Sequence, residues 1–183
     1  MEKILISGTG RCGTTFLIKL FSFLEFNTGF NRDNYKQFIF SNCNSGMERD
    51  YTDNYYILKS PGFVEHIEKI MKNHSIKIKT MIIPIRDFNE VALSRANNGN
   101  NPGGLSGATD KESQKQYYHV VMSNYLYFMT KYEINTIFLD FDKMVTDSKY
   151  LFNKLEKILA EKNIDYKKFD SIYNEVSLTS KPK

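Results

Sequence analysis

Tryptophan is absent from this chain, cysteine occurs twice and histidine three times, and no apolar run is long enough to span a bilayer. Each shortage excludes something. Cys12 and Cys43 are too few for a disulfide framework, and neither has a metal-ligand partner at useful spacing. His66, His74 and His119 also lack a Cys, Asp or His partner at metal or triad spacing. They read as structural, two at a helix surface or end and one inside a helix among tyrosines. The first residues lack the basic and apolar regions of a secretory signal. A reduced, cytoplasmic protein with no metal and no membrane span is expected. Repeats, low-complexity tracts and linkers are missing too, so residues 1–183 fit one domain, large enough for a real core.

Positive charge is present but thinly spread. The formal net charge is +4, and the basic residues do not cluster as a nucleic-acid-binding surface requires. A mildly basic surface instead suits a small, highly anionic ligand. Phenylalanine and tyrosine are plentiful, with 14 and 12 copies.

Strand and helix signals alternate along the chain, which points to an α/β fold with a mainly parallel sheet. The pattern predicts a strand at Lys3–Ser7 and a helix from Thr14 to about Glu25, apolar on nearly every side and hence buried. A short strand is expected near Asn27–Phe30, and residues 31–54 are polar and turn-rich. Strands follow at Tyr55–Lys59, from Thr80 to Arg86, and at Thr136–Asp140. Helices are expected from Pro61 to about Lys72 with Ser60 as N-cap, over Phe88–Asn97, over Lys111–Tyr132, and over Ser148–Lys162 and Asp165–Val176. The Asn97–Thr109 stretch is the most flexible by composition; it either closes over a ligand or merely connects two helices.

Two strand-to-helix junctions carry the chemistry. In Ile6-Ser7-Gly8-Thr9-Gly10-Arg11-Cys12-Gly13-Thr14-Thr15, Gly8 and Gly13 have the spacing of a phosphate-binding loop. Such a loop turns backbone N–H groups onto an anion at the positive end of a helix. Thr14 stands where the lysine that reaches the β/γ-phosphates of a nucleoside triphosphate is expected, and the nearest cation is Arg11. The second junction is Ile83-Pro84-Ile85-Arg86-Asp87, followed by a helical run holding Ser94, eight residues after Arg86. Arg95, next along that helix, reads as a surface charge.

Together these segments resemble sulfotransferases that use 3′-phosphoadenosine-5′-phosphosulfate (PAPS). Gly8–Thr15 is similar to that family's 5′-phosphosulfate loop except at Gly10 and Cys12, and Arg86 with Ser94 resembles its 3′-phosphate motif. The resemblance covers Lys3 to about Arg95. It implies a three-layer, P-loop NTPase-like domain that binds PAPS as co-substrate, releases the 3′,5′-bisphosphate (PAP) and needs no metal. It places the loop Gly10-Arg11-Cys12-Gly13-Thr14-Thr15, with Arg86 and Ser94, on the donor, and Arg11 and Lys59 near the transferring sulfuryl group. Lys59 lies in Leu58-Lys59-Ser60-Pro61, where Pro61 replaces the histidine base of the cytosolic branch. Asn44–Arg49 resembles the segment that supplies a catalytic glutamate in protein-tyrosine sulfotransferases, so Glu48 is the candidate base and Asp33 the second. The Arg-Lys-Gly segment of cytosolic members is missing.

Part of the aromatic group Tyr117, Tyr118, Tyr125, Tyr127 and Phe128 can line an acceptor pocket, with the rest core and surface. Acceptor identity and oligomeric state stay open. Two other readings stand beside this one. A P-loop kinase needs a strand-end carboxylate for Mg²⁺, for which Asp87 and Asp140 are available. A non-catalytic nucleotide-binding module would not need both Arg11 and Lys59.

Overall fold

The computed structural model describes residues 1–40, 45–99 and 103–180; Cys43, Asn44 and the 100–102 part of the glycine-rich loop lie outside the described residues. Its strands are β1 (Glu2–Ile6), β2 (Ile39–Phe40), β3 (Ser45–Gly46), β4 (Ile57–Lys59), β5 (Lys77–Ile85) and β6 (Thr136–Asp140). Its α-helices are α1 (Thr14–Phe23), α2 (Phe63–Lys72), α3 (Phe88–Asn98), α4 (Lys111–Lys131), α5 (Phe141–Thr146), α6 (Ser148–Leu159) and α7 (Tyr166–Ser180). A 3₁₀ turn, Tyr35–Phe38, leads into the small β2–β3 hairpin.

The main sheet is four-stranded and entirely parallel, in the order β4-β1-β5-β6. Successive strand residues point to opposite faces, and both faces are apolar here. Ile4, Ile6, Ile57, Ile82 and Leu139 join one core with α1, α6 and α7, whereas Leu5, Leu58, Met81 and Ile83 join a second with α2 and α4. Helices thus cover the sheet on both sides. Helix α1 follows β1 onto one face and α4 follows β5 on the other. Between these neighbouring strands the sheet has its switch point, where a crevice opens at the strand C-termini.

Four expectations need correction. The Asn27–Phe30 segment is not a strand. Thr28 Oγ1 accepts from the Phe30 N–H at 3.2 Å, and the Asn27 carbonyl accepts from both Tyr56 and Ile57, so local bends replace a ladder. Ser60 does not cap α2. Its N–H donates to Ile6 O at 3.1 Å just past the end of β4, its hydroxyl accepts from the Gly62 N–H at 3.2 Å to close a turn, and the helix begins at Phe63 after Gly62. Helix α5 was not expected; Asp140 starts it by accepting from the Lys143 N–H at 2.9 Å. Strand β5 also begins three residues earlier than Thr80. Among the described residues, no helix is long and apolar enough to cross a membrane.

One buried polar contact ties the second core to the crevice. Ser7, at the end of β1, donates to Ser60 O at 2.6 Å and shares a hydrogen bond with the Tyr125 hydroxyl, which also reaches Pro61 O at 3.2 Å. Burial pushes the Tyr125 phenol well above its ordinary pKa. Tyr125→Phe removes the hydroxyl that links α4 to both strand ends. It is expected to lower the unfolding free energy by about 1–3 kcal/mol, read by chemical denaturation.

Candidate functional site

The loop after β1 leaves the sheet once the Ser7 N–H has donated to Ile82 O. Gly13 then occupies the N-cap position of α1 in a left-handed conformation, with φ of 87°. Among the described residues no side chain caps this helix, and its first turn contains no acidic residue. The first N–H groups and the positive end of α1 are therefore available to an anion. Gly13, Thr14, Thr15 and Phe16 all line a cavity of about 770 Å³. That volume lies within the roughly 300–1,000 Å³ typical of small-molecule sites.

The sequence motifs converge here. Arg11 Nε donates to Ser94 Oγ at 3.2 Å, and Arg86 Nη1 to the Arg11 carbonyl at 3.4 Å. The two junctions, more than seventy residues apart in sequence, thus touch directly. Arg86 also pairs with Glu90 at 3.1 Å and sits 4.6 Å over the Phe141 ring. Arg11 and Arg86 line the cavity, while Ser94 reaches it through Arg11.

Lys59 enters from the end of β4. It shares a sheet face with Ile57 and is 2% exposed. Its ammonium donates to Gly46 O at 3.0 Å and pairs with Glu48 at 2.5 Å, the carboxylate being 43% exposed. The β2–β3 hairpin therefore brings together the candidate base and the candidate sulfuryl-binding cation. Both line the cavity. Asp33 is exposed and outside it. The Cys12 side chain is buried beneath the loop and does not line the cavity either; burial pushes its thiol pKa up.

Arg95 is not a surface charge. It is partly buried, lines the cavity and donates to Thr9 O at 3.4 Å and to Gly104 O at 2.5 Å. Gly10 adopts a φ of 74°, which favours glycine, and a Cβ there would meet the Arg95 guanidinium and force it to shift. Arg95 thereby joins the phosphate-type loop to the glycine-rich loop, whose Gly103 and Ser106 also line the cavity. Gln114, fully buried, holds that loop at Ser106 through two bonds, at 2.8 and 3.1 Å. The tyrosines expected near an acceptor are elsewhere. Tyr118 and Tyr125 are wholly buried, Tyr127 is exposed, and none lines the cavity.

Lys19 was missed. It lies in the buried stretch of α1, 2% exposed, and lines the cavity. Its signal was a lone charge inside Phe16-Leu17-Ile18-Lys19-Leu20-Phe21. Burial lowers its pKa to about 8. Among the described residues, no group of three or more His, Cys, Asp or Glu is placed to hold a metal ion.

The low Lys19 pKa has a stability consequence. Between about pH 8 and the ordinary lysine value of 10.5, the folded chain binds fewer protons than the unfolded chain. Stability from this group therefore rises with pH through that window. Other groups titrate there as well, so the difference between wild type and Lys19→Met is the informative quantity. Denaturation from pH 7.5 to 10.5 is expected to show wild type gaining on the variant as pH rises.

No family model, curated protein or solved structure matches this chain.

Proposed function

We propose that this protein transfers a sulfuryl group from PAPS to a hydroxyl or amine of an acceptor. The observation that carries the reading is the convergence of Arg11, Lys59, Arg86 and Arg95 with the uncapped N-terminus of α1 on one cavity. PAPS is an adenosine with anionic groups at its 5′ and 3′ positions, and four fixed cations suit such a donor. The Gly13–Thr15 turn would take the 5′-phosphate, and Arg86 with Ser94 the 3′-phosphate. Arg11 and Lys59 would stabilise charge on the sulfuryl group and the oxygen it leaves.

In the proposed step the acceptor oxygen or nitrogen attacks sulfur in line. The bond from sulfur to the phosphate oxygen breaks with its electron pair remaining on PAP. Glu48 takes the acceptor's proton. Catalysis then rests on position and electrostatics rather than on a covalent enzyme intermediate.

The kinase reading finds less support. Asp87 caps α3, accepting from Asn89 and Glu90 N–H groups, and these bonds hold its carboxyl below the ordinary range. Asp140 caps α5, accepting from the Lys143 N–H. Neither lines the cavity.

Calorimetric titration with adenosine 3′,5′-bisphosphate, AMP and ATP–Mg²⁺ tests the reading. The bisphosphate is expected to bind best, and preference for ATP–Mg²⁺ would overturn the proposal. Arg86→Ala is expected to weaken bisphosphate binding by about 1–3 kcal/mol, the range for a lost charged hydrogen bond. Unchanged affinity would remove Arg86 from the donor site.

A further inference from the structure

Lys19 belongs to a part of the cavity that the donor reading does not use. Its ammonium donates to Thr179 Oγ1 of α7 at 2.6 Å and sits 4.6 Å from the Tyr35 ring and 5.6 Å from the Phe23 ring. Among the described residues, no carboxylate lies within ion-pair distance of it. Glu175 acts on Lys19 electrostatically, but its two oxygens accept from Arg32 at 3.2 and 3.0 Å. Lys36, the other charge that acts on Lys19, is a cation.

The surrounding wall is mainly apolar. Phe16, Ile39, Phe40 and Val145 line the same cavity, and Phe40 is half exposed at its rim. A buried ammonium in such a wall is costly unless a partner compensates it. Thr179 supplies a dipole without a negative charge, and its hydroxyl is shared with the Glu175 and Val176 carbonyls of α7.

The position relative to the transfer site is fixed by α1. Thr15 and Lys19 are four residues apart and so lie on one helix face, about 6 Å apart along the axis. Thr15 Oγ1 and Lys59 Nζ both reach the Gly46 carbonyl, at 3.5 and 3.0 Å. Lys19 therefore stands about one helical turn beyond the Lys59–Glu48 pair.

We infer that the Lys19 end of the cavity binds the acceptor, and that the acceptor is a mainly apolar hydroxy acid whose carboxylate pairs with Lys19. A single ammonium matches one negative charge, whereas a dianionic phosphate would leave charge uncompensated in the apolar wall. The acceptor role rests on the sulfotransferase reading; the carboxylate site rests on Lys19 and its wall.

The probes are 3-(4-hydroxyphenyl)propionate and its neutral amide, titrated calorimetrically into the full chain with and without saturating adenosine 3′,5′-bisphosphate. The acid is expected to bind wild type more tightly than the amide by about tenfold or more. Lys19→Met should bring the two ligands close to equal affinity, with Lys19→Gln as a second neutral variant and thermal melting as the check on folding. Equal binding of acid and amide to wild type, binding of neither, or an acid preference that survives both variants overturns the inference. Titration of wild type with the bisphosphate by itself reads the donor end separately. Failure there removes the acceptor role, while the acid–amide comparison still decides the carboxylate site.

Discussion

The parallel register of β1 between β4 and β5 is the constraint on which the cavity depends. Ile6 lies opposite Lys59 on one side and Ile82 on the other, so β1 and β4 end level with one another while β5 runs on beside them to Ile85. Two backbone bonds extend that alignment by one residue, Ser7 N to Ile82 O and Ser60 N to Ile6 O. A strand that slipped by one position would turn its inward residues to the opposite face. For β4 that slip would swing Lys59 away from α1 and out of the site. The continuous apolar runs fill both faces and resist the slip, because Ile57 and Leu58 belong to different cores. Core packing and placement of the cationic group are therefore one constraint.

Five cations line one cavity, Lys19 and four others around the phosphate-type loop, and the way the four are held explains how they coexist. Backbone carbonyls do much of the holding: Gly46 O for Lys59, Arg11 O for Arg86, and Thr9 O with Gly104 O for Arg95. A carbonyl orients and partly compensates a cation without cancelling its charge. The two carboxylates involved, Glu48 and Glu90, are both substantially exposed, so solvent weakens their pairing. The result is a set of fixed positive groups whose summed field remains available to an anion. Lys19 stands apart because its surroundings are rings and one hydroxyl, which gives it a different electrostatic task.

How much of this was legible depended on whether the signal was local. Strand β6 falls on Thr136–Asp140 as expected, and the loop from Gly8 to Thr15 announces its helix through glycine spacing. Residues set by long-range contacts were not legible. Arg95 reads as a surface charge because nothing nearby shows that Gly10 offers it a seat. Ser60 has the composition of a helix cap, but its hydroxyl closes a turn on the Gly62 N–H and the helix starts only at Phe63. The turn at Asn27–Phe30 resembles a strand in composition, yet Thr28 satisfies the local backbone instead. Local propensity thus missed a long-range contact at Arg95 and a competing local hydrogen bond at Ser60 and Thr28.

The substitution of Thr14 for a loop lysine is best understood through the same geometry. Thr14 is 4% exposed, and the space around the loop is taken by neighbouring elements: Phe141 and Met144 of α5 pack against Gly13. Positive charge comes instead from β4, from the end of β5 and from α3, through Lys59, Arg86 and Arg95. That arrangement shifts the cations from a single point above the helix to several sides of the cavity. A chain of phosphates needs its charge met along one line, whereas a donor with anionic groups on two parts of one nucleoside needs it met from more than one direction. In the proposed reading the phosphate-type loop would anchor one group, and the cations carried by other elements would set where the second can lie. On that proposal, ligand selectivity would depend on strand and helix placement as much as on the loop sequence itself.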